Sequence, residues 1–277
     1  MEAIETLIED QYKKDNYRII DNHTKNGLCY IYASSNALYK KDDGADFQKK
    51  VIEDDRYEWK HYRAGNKPER EIFIRDIFLS WYVKGINSRI CDYEKLIEFL
   101  RECTKGYTVR CVGVSSGGYI GNIIAMGLEA EMCYCFSGQF SLRNHFDHLR
   151  KNIYLKEYLE KEGDYWYEYY RRLDACKNTK IIYVLPIRSE QDIEQYNFVK
   201  DNDVLIVIPV DEQEHGIAIY PFALAKFLSY SIADCEKLSA IEKSIGGGGQ
   251  SKLAISIKIG GCWKFFQYII YRMLKKL

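Results

Sequence analysis

Seven short apolar runs punctuate the chain between residues 17 and 210: YRII (17–20), LCYIYA (28–33), EIFIRD (71–76), YTVRCVGV (107–114), EMCYCFS (131–137), KIIYVLP (180–186) and DVLIVIPV (203–210). Several of the later runs are apolar at successive positions instead of alternate ones, so both faces of each strand must be covered. Between the runs lie segments with helical spacing: FLSWYVKGI (78–86), DYEKLIEFLREC (92–103), GYIGNIIAMGL (118–128), DIEQYNFVK (192–200) and IAIYPFALAKFLSYSIADCEKL (217–238). Residues 1–14 read as an amphipathic helix ahead of them. Strands alternating with helices predict a doubly wound, mostly parallel sheet of the α/β class. At 277 residues and 47% hydrophobic content, the chain can bury one substantial core.

One strand-to-helix junction, RCVGVSSGGYIGN (110–122), is unusual in its small residues. A phosphate-binding Walker loop needs a lysine after its glycines, and none is present; a dinucleotide GxGxxG does not fit the register of Gly113, Gly117, Gly118 and Gly121. The pattern that fits is G-x-S-x-G, Gly113-Val114-Ser115-Ser116-Gly117. Here a strained turn lifts a serine to the end of the sheet, and the flanking positions must be small. A serine hydroxyl needs a base, and the base an orienting acid, in the chain order Ser, acid, His. Of five histidines, His23 and His61 precede the turn and His145 and His148 follow it by only one strand, which leaves His215 as the base. The segment IRSEQDIEQ offers the acid. Asp192 is the choice, with Glu190 as runner-up and a helix N-cap as the alternative role for Asp192. The oxyanion donors are expected to be the backbone N–H of Ser116 and one from Ser34, Ser35 or Asn36, after the LCYIYA strand.

Other residues carry weaker signals. Arg75 ends a strand at the same edge and would shape the pocket or form an ion pair at the core rim. Tyr167, Arg171 and Arg172 belong to an aromatic and basic cluster that could stack a sugar or adenine and hold phosphate, or could simply pack a lid. His145 and His148 stand three apart without further ligands, so no metal is expected. Cys133 and Cys135 read as core residues.

Residues 139–175 hold no apolar run and are rich in tyrosine and charge; they are expected to form a helical lid insertion over the carboxyl edge of the sheet. Beyond Glu242 there is no acidic residue, while Lys243, Lys252, Lys258, Lys264, Arg272, Lys275 and Lys276 are all basic. In that stretch IGGGGQSKLAISIKIGG reads as a flexible joint and CWKFFQYIIYRMLKKL as an amphipathic helix, with Phe266, Ile269, Ile270, Met273, Leu274 and Leu277 on one face. The chain is thus divided into a catalytic domain, 1–242, and a glycine-rich joint with a basic tail, 243–277. The tail suits an anionic membrane surface, or docking on its own domain or a second subunit. Overall charge is zero, 40 basic against 40 acidic residues, so no global field recruits nucleic acid. Nine cysteines without a CxxC pair indicate a reducing compartment. There is no signal-peptide pattern and no run of roughly 18 apolar residues. The expected location is the cytoplasm, with peripheral contact at the inner face of the membrane.

Taken together, GVSSGGY, IFIRDIFLSWYVKGIN, FSGQFSL and the late EHG resemble α/β-hydrolase-fold proteins of bacterial surface-polysaccharide gene clusters. They are similar to capsular polysaccharide O-acetyltransferases that use a serine triad. The resemblance spans residues 17 to 230 and implies acetyl transfer from acetyl-CoA, as co-substrate and not as a bound cofactor, to a glycan hydroxyl. Ser115 would carry the acetyl group, His215 would act as base and Asp192 would orient it. The rival reading is an esterase or deacetylase of the same fold, and a third is a non-catalytic scaffold of a glycan-assembly complex.

Overall fold

The computed structural model describes residues 2–142, 156–157, 166, 168–245 and 248–274. Its centre is an eight-stranded sheet: β1 (Tyr17–Asp21), β2 (Leu28–Ala33), β3 (Arg70–Ile74), β4 (Thr108–Val114), β5 (Met132–Phe136), β6 (Lys180–Pro186), β7 (Leu205–Asp211) and β8 (Gln250–Ser251). Their spatial order is β1-β3-β2-β4-β5-β6-β7-β8. Only β1 is antiparallel to its neighbour; every other pair is parallel.

The register explains why the strands lack alternation. One row across the sheet runs Ile31, Cys111, Cys133, Ile181, and the next runs Tyr32, Val112, Tyr134, Ile182. The first row faces one core, closed by α2 (Tyr93–Cys103) and α3 (Ser116–Leu128); the second faces another, closed by α5 (Pro221–Phe227), α6 (Ile232–Ser244) and α7 (Lys252–Gly260). Successive side chains therefore enter different cores, and both must be apolar. The helix α4 (Glu190–Asn197) follows β6, and α1 (Glu2–Tyr12) covers a third cluster around Leu38, Phe47 and Ile77. Cys133 and Cys135 lie in the first core, where burial pushes the Cys135 thiol up to about 12, so it stays protonated.

Three expectations are corrected. Residues 78–86 do not form a helix. The buried carboxylate of Asp76 accepts from Phe78 N (2.9 Å), Ser80 N (2.6 Å), Ser80 Oγ (3.0 Å) and Tyr82 N (2.9 Å) and winds the chain into a tight turn. Leu79, Trp81 and Tyr82 take positive φ there, of 52°, 55° and 64°. An aspartate that captures nearby amides competes with the helical pattern, and here it wins. Second, residues 217–238 do not form one helix, because a capping box at Ser231 and Asp234 starts α6 anew after α5 has ended.

The third correction concerns the tail. The boundary at residue 242 and the flexible joint after it are not what the structure shows. Gln250 and Ser251 pair with Val210 and Asp211 as β8, and Ile255 and Ile259 of α7 are fully buried in the second core. Glu242 is itself buried and anchors the segment: its Oε2 accepts from Gln250 N at 2.9 Å and its Oε1 from Lys258 Nζ at 2.8 Å. Burial ends at Gly261, after which α8 (Cys262–Leu274) has no buried residue.

Two consequences can be measured. Ile255→Ala or Ile259→Ala should each cost about 2–5 kcal/mol in a denaturant melt. A chain ending at Gly261 should keep one cooperative transition, whereas one ending at Gly249 should lose it.

Candidate active site

The strand β4 delivers Ser115 to the carboxyl edge of the sheet with φ 52° and ψ −123°, a region that non-glycine residues rarely occupy. The turn is held on both sides: Ser115 N donates to Phe136 O and Tyr119 N to Ser115 O, each at 2.9 Å. It exists because its neighbours have no side chains. A Cβ on Gly113 would lie 2.0 Å from the Gly117 carbonyl oxygen, and one on Gly117 would lie 2.5 Å from that of Ala33. No side chain caps α3, so the first-turn amides, Ser116 N–H among them, are left for another acceptor.

Asp192 is the third residue of α4, two residues inside the helix that its sequence position was expected to begin. It is fully buried, and its two oxygens lie 3.0 and 3.2 Å from His215 Nδ1. Because a carboxylate only accepts, Nδ1 carries the proton and Nε2 is left basic. Glu190, at the same helix start, is exposed, and Asp192 is the carboxylate at His215 Nδ1. His215 sits between β7 and α5, and its position is set through the next residue: Ser137 Oγ donates to Gly216 O and accepts from Gly216 N, both at 3.0 Å. Ser137 directly follows Phe136, the residue that anchors Ser115. Val114, next to the serine, and Ile217, two residues after the histidine, line one small cavity of about 150 Å³ with Arg56, Glu58, Trp59 and Tyr62. Among the described residues no hydrogen bond joins Ser115 Oγ to the imidazole; the hydroxyl accepts instead from Gln139 Nε2 at 3.3 Å.

The expected donors on the β2 side are otherwise engaged. Ser34 N–H donates to Ile74 O at 3.0 Å, Ser35 N–H to the Glu58 carboxylate, and Asn36 N–H to Ser116 Oγ at 2.8 Å. Ser34 and Ser35 are thus corrected as donors, because strand closure and Glu58 consume their amides. Of the two roles expected of Arg75, substrate binding is corrected and the ion pair is what forms: its guanidinium is buried against Asp55 (3.2 Å), Asn16 Oδ1 (3.2 Å) and Arg56 O (3.0 Å), over the Tyr57 ring, and ties the amino-terminal segment to the sheet. Arg171 pairs with buried Glu168 at 3.2 Å and lines a depression with Asp174, Asn197 and Asn202 near the amino ends of β6 and β7, at the far edge from Ser115. The Arg172 guanidinium lies over the Trp166 ring. Tyr167, His145, His148 and most of the expected lid lie outside the described residues.

Sequence reasoning missed Gln139, Ser137, Arg56 and Glu58. Gln139 and Ser137 stand in FSGQFSL, directly after β5 and so at the carboxyl edge by topology; Arg56 and Glu58 follow no strand and carried no such signal.

No protein-family model and no curated protein matches the chain. Among solved structures, it is similar to the capsule O-acetyltransferase of Neisseria meningitidis serogroup A, with a TM-score of 0.51 and 11% identity over 72% of this chain and 85% of that one. It is also similar to a protein of unknown function from Staphylococcus aureus, with a TM-score of 0.50 and 10% identity over 80% of this chain and 94% of that one. Together with the sheet order, these likenesses show the α/β-hydrolase fold.

The clamp on the histidine segment makes a direct prediction. Ser137→Ala leaves the Gly216 amide without its partner and should cost about 1–3 kcal/mol. It should also shift the His215 imidazole resonances in an NMR titration, which an unclamped but unmoved loop would leave in place.

Proposed function

We propose that the protein is a serine acyltransferase that moves an acetyl group from acetyl-CoA to a hydroxyl of a bacterial surface glycan. The observation that carries this reading is the pairing of buried Asp192 with half-buried His215 at the same sheet edge as the strained Ser115 turn. The similarity in fold to a capsule O-acetyltransferase supports the choice of transfer over hydrolysis.

In this mechanism substrate binding brings Ser115 Oγ and His215 Nε2 into hydrogen-bond contact, which is often open in a free enzyme. His215 takes the serine proton as Oγ attacks the thioester carbonyl, and Asp192 stabilises the imidazolium. The C–S bond breaks, the proton passes to the leaving sulfur, and CoA departs as the free thiol. A glycan hydroxyl then attacks the acetyl-serine and gives its proton to His215; the bond from Oγ to the acetyl carbon breaks, and His215 passes that proton to Oγ, which regenerates Ser115. The Ser116 N–H faces the charge that develops on the carbonyl oxygen in both steps. An esterase would use the same residues with water in place of the glycan.

The α8 helix belongs to the same proposal. Phe265 and Tyr268 pack on Phe222 and Tyr220, while Trp263 (74% exposed), Phe266, Ile270, Met273 and Leu274 (65%) stand in solvent beside Lys264 and Arg272. No helix among the described residues is long and apolar enough to cross a membrane. An exposed apolar face without acidic residues suits an anionic membrane surface, where a capsule glycan would be assembled.

Purified protein with acetyl-CoA tests the chemistry. A transferase releases thiol only when polysaccharide acceptor is added; an esterase instead cleaves a small acetyl ester, and a scaffold does neither. Ser115→Ala should lower turnover by on the order of 10⁴ to 10⁶ with unchanged unfolding, and near-normal activity would remove the mechanism. Removing residues 262–277 should abolish co-sedimentation with phosphatidylserine vesicles while sparing activity on a soluble acceptor.

A further inference from the structure

The engaged amides of the β2 loop leave a gap in the oxyanion site. In this fold one donor follows the nucleophile and a second comes from the loop after the third strand position, here residues 34–37. Ser34, Ser35 and Asn36 are committed as described, and Ala37 N–H donates to Ser35 Oγ at 3.1 Å. A different group already touches the reacting oxygen: Gln139, a buried side chain whose Nε2 lies 3.3 Å from Ser115 Oγ.

The orientation of that amide is fixed by its other end. Trp81 Nε1 points at Gln139 Oε1 at 3.4 Å, and an indole N–H can only donate, so the oxygen must face Trp81 and the NH₂ group must face the serine. Trp81 is held in turn. It has positive φ inside the turn wound by Asp76, and its carbonyl accepts from Tyr93 Oη at 2.8 Å. The backbone of Gln139 is equally constrained: its carbonyl accepts from Tyr169 Oη at 2.8 Å, and Gln195 Oε1 accepts from Phe140 N (2.7 Å) and Ser141 N (2.9 Å). Gln195 stands one turn beyond Asp192 on α4, so one helix positions both the acid and the Gln139 loop.

We propose that the Gln139 side-chain amide is the second oxyanion donor, aimed by the indole of Trp81. This rests on the acyl-serine reading above. In the free enzyme Nε2–H donates to Oγ, which leaves the serine's own proton to go to His215. When Oγ bonds to the carbonyl carbon, the oxyanion and Oγ share that one carbon, and the two hydrogens on Nε2 can reach both. No bond to Gln139 forms or breaks and it gives up no proton; it only donates hydrogen bonds to negative charge that is absent from the ground state, so it acts on kcat.

The test measures the rate at which an alkyl fluorophosphonate labels Ser115, read by peptide mass spectrometry, alongside kcat and KM for acetyl-CoA with polysaccharide acceptor present. Gln139→Met keeps the volume and removes the donor. It should slow labelling and lower kcat by about 10²–10³ with KM unchanged. Trp81→Phe, which leaves Gln139 in place and frees its amide to turn over, should show a smaller loss in the same direction and keeps the test sound if Gln139→Met does not fold. A wild type that labels at Ser115 while both variants label at its rate overturns the Gln139 proposal alone. A wild type that does not label overturns the acyl-serine reading and this one with it.

Discussion

The structure turns on one close approach of backbone to backbone, where the chain leaves β4 and enters α3. With a side chain at Gly113 or Gly117, the carbonyls of Gly117 or Ala33 would be struck. Without them, Ser115 holds a backbone conformation that it would not choose alone, and strain of this kind persists only where the surroundings over-determine it. Here the surroundings are the two central strands on either side of β4. The same turn leaves the amino end of α3 uncapped, so that one local constraint both raises the hydroxyl and opens a patch of positive potential beside it.

Around that turn the carboxyl edge is closed by a set of polar clamps, each resting on a buried group. Asp76 winds the Trp81 turn, Ser137 grips Gly216, Gln195 holds the Gln139 loop, and Glu58 takes the amide and hydroxyl of Ser35 after β2. Loops that cross a sheet edge have no ladder to satisfy their amides, and a buried amide without a partner is costly. Side chains that can accept twice are therefore placed where loops from distant parts of the chain meet. This brings residues 58, 76, 137 and 195 to one face of the molecule and makes the site rigid without a strand through it.

At the far edge of the sheet, an ion pair decides where the body ends. Glu242 and Lys258 are weak as a net source of stability, since desolvation offsets much of their attraction. Breaking the pair would strand a fully buried carboxylate, and so it specifies the course of residues 250–258 more than it stabilises them. A glycine-rich run followed by lysines looks like a linker on composition alone; here Gly248 and Gly249 take positive φ, of 88° and 127°, ahead of β8, and Lys258 meets a buried acid.

Much of this was legible in the residues. Continuous apolar runs fixed the covered parallel sheet, because a strand with a core on each side has no polar position to spare. The small residues around Ser115 marked the turn, because a backbone collision at fixed spacing is a local property. His215 could be reached by elimination among the histidines and Asp192 by its place in the chain, yet the hydrogen bond between them is a fact of folding, as are the engagement of Ser34 and Ser35, the burial of Arg75, and the loss of the helix at 78–86. Each of those depends on which distant group arrives first at an amide or a charge. Periodicity and steric spacing are written along the chain, whereas competition among hydrogen-bond partners far apart in sequence is settled only when the sheet brings them together.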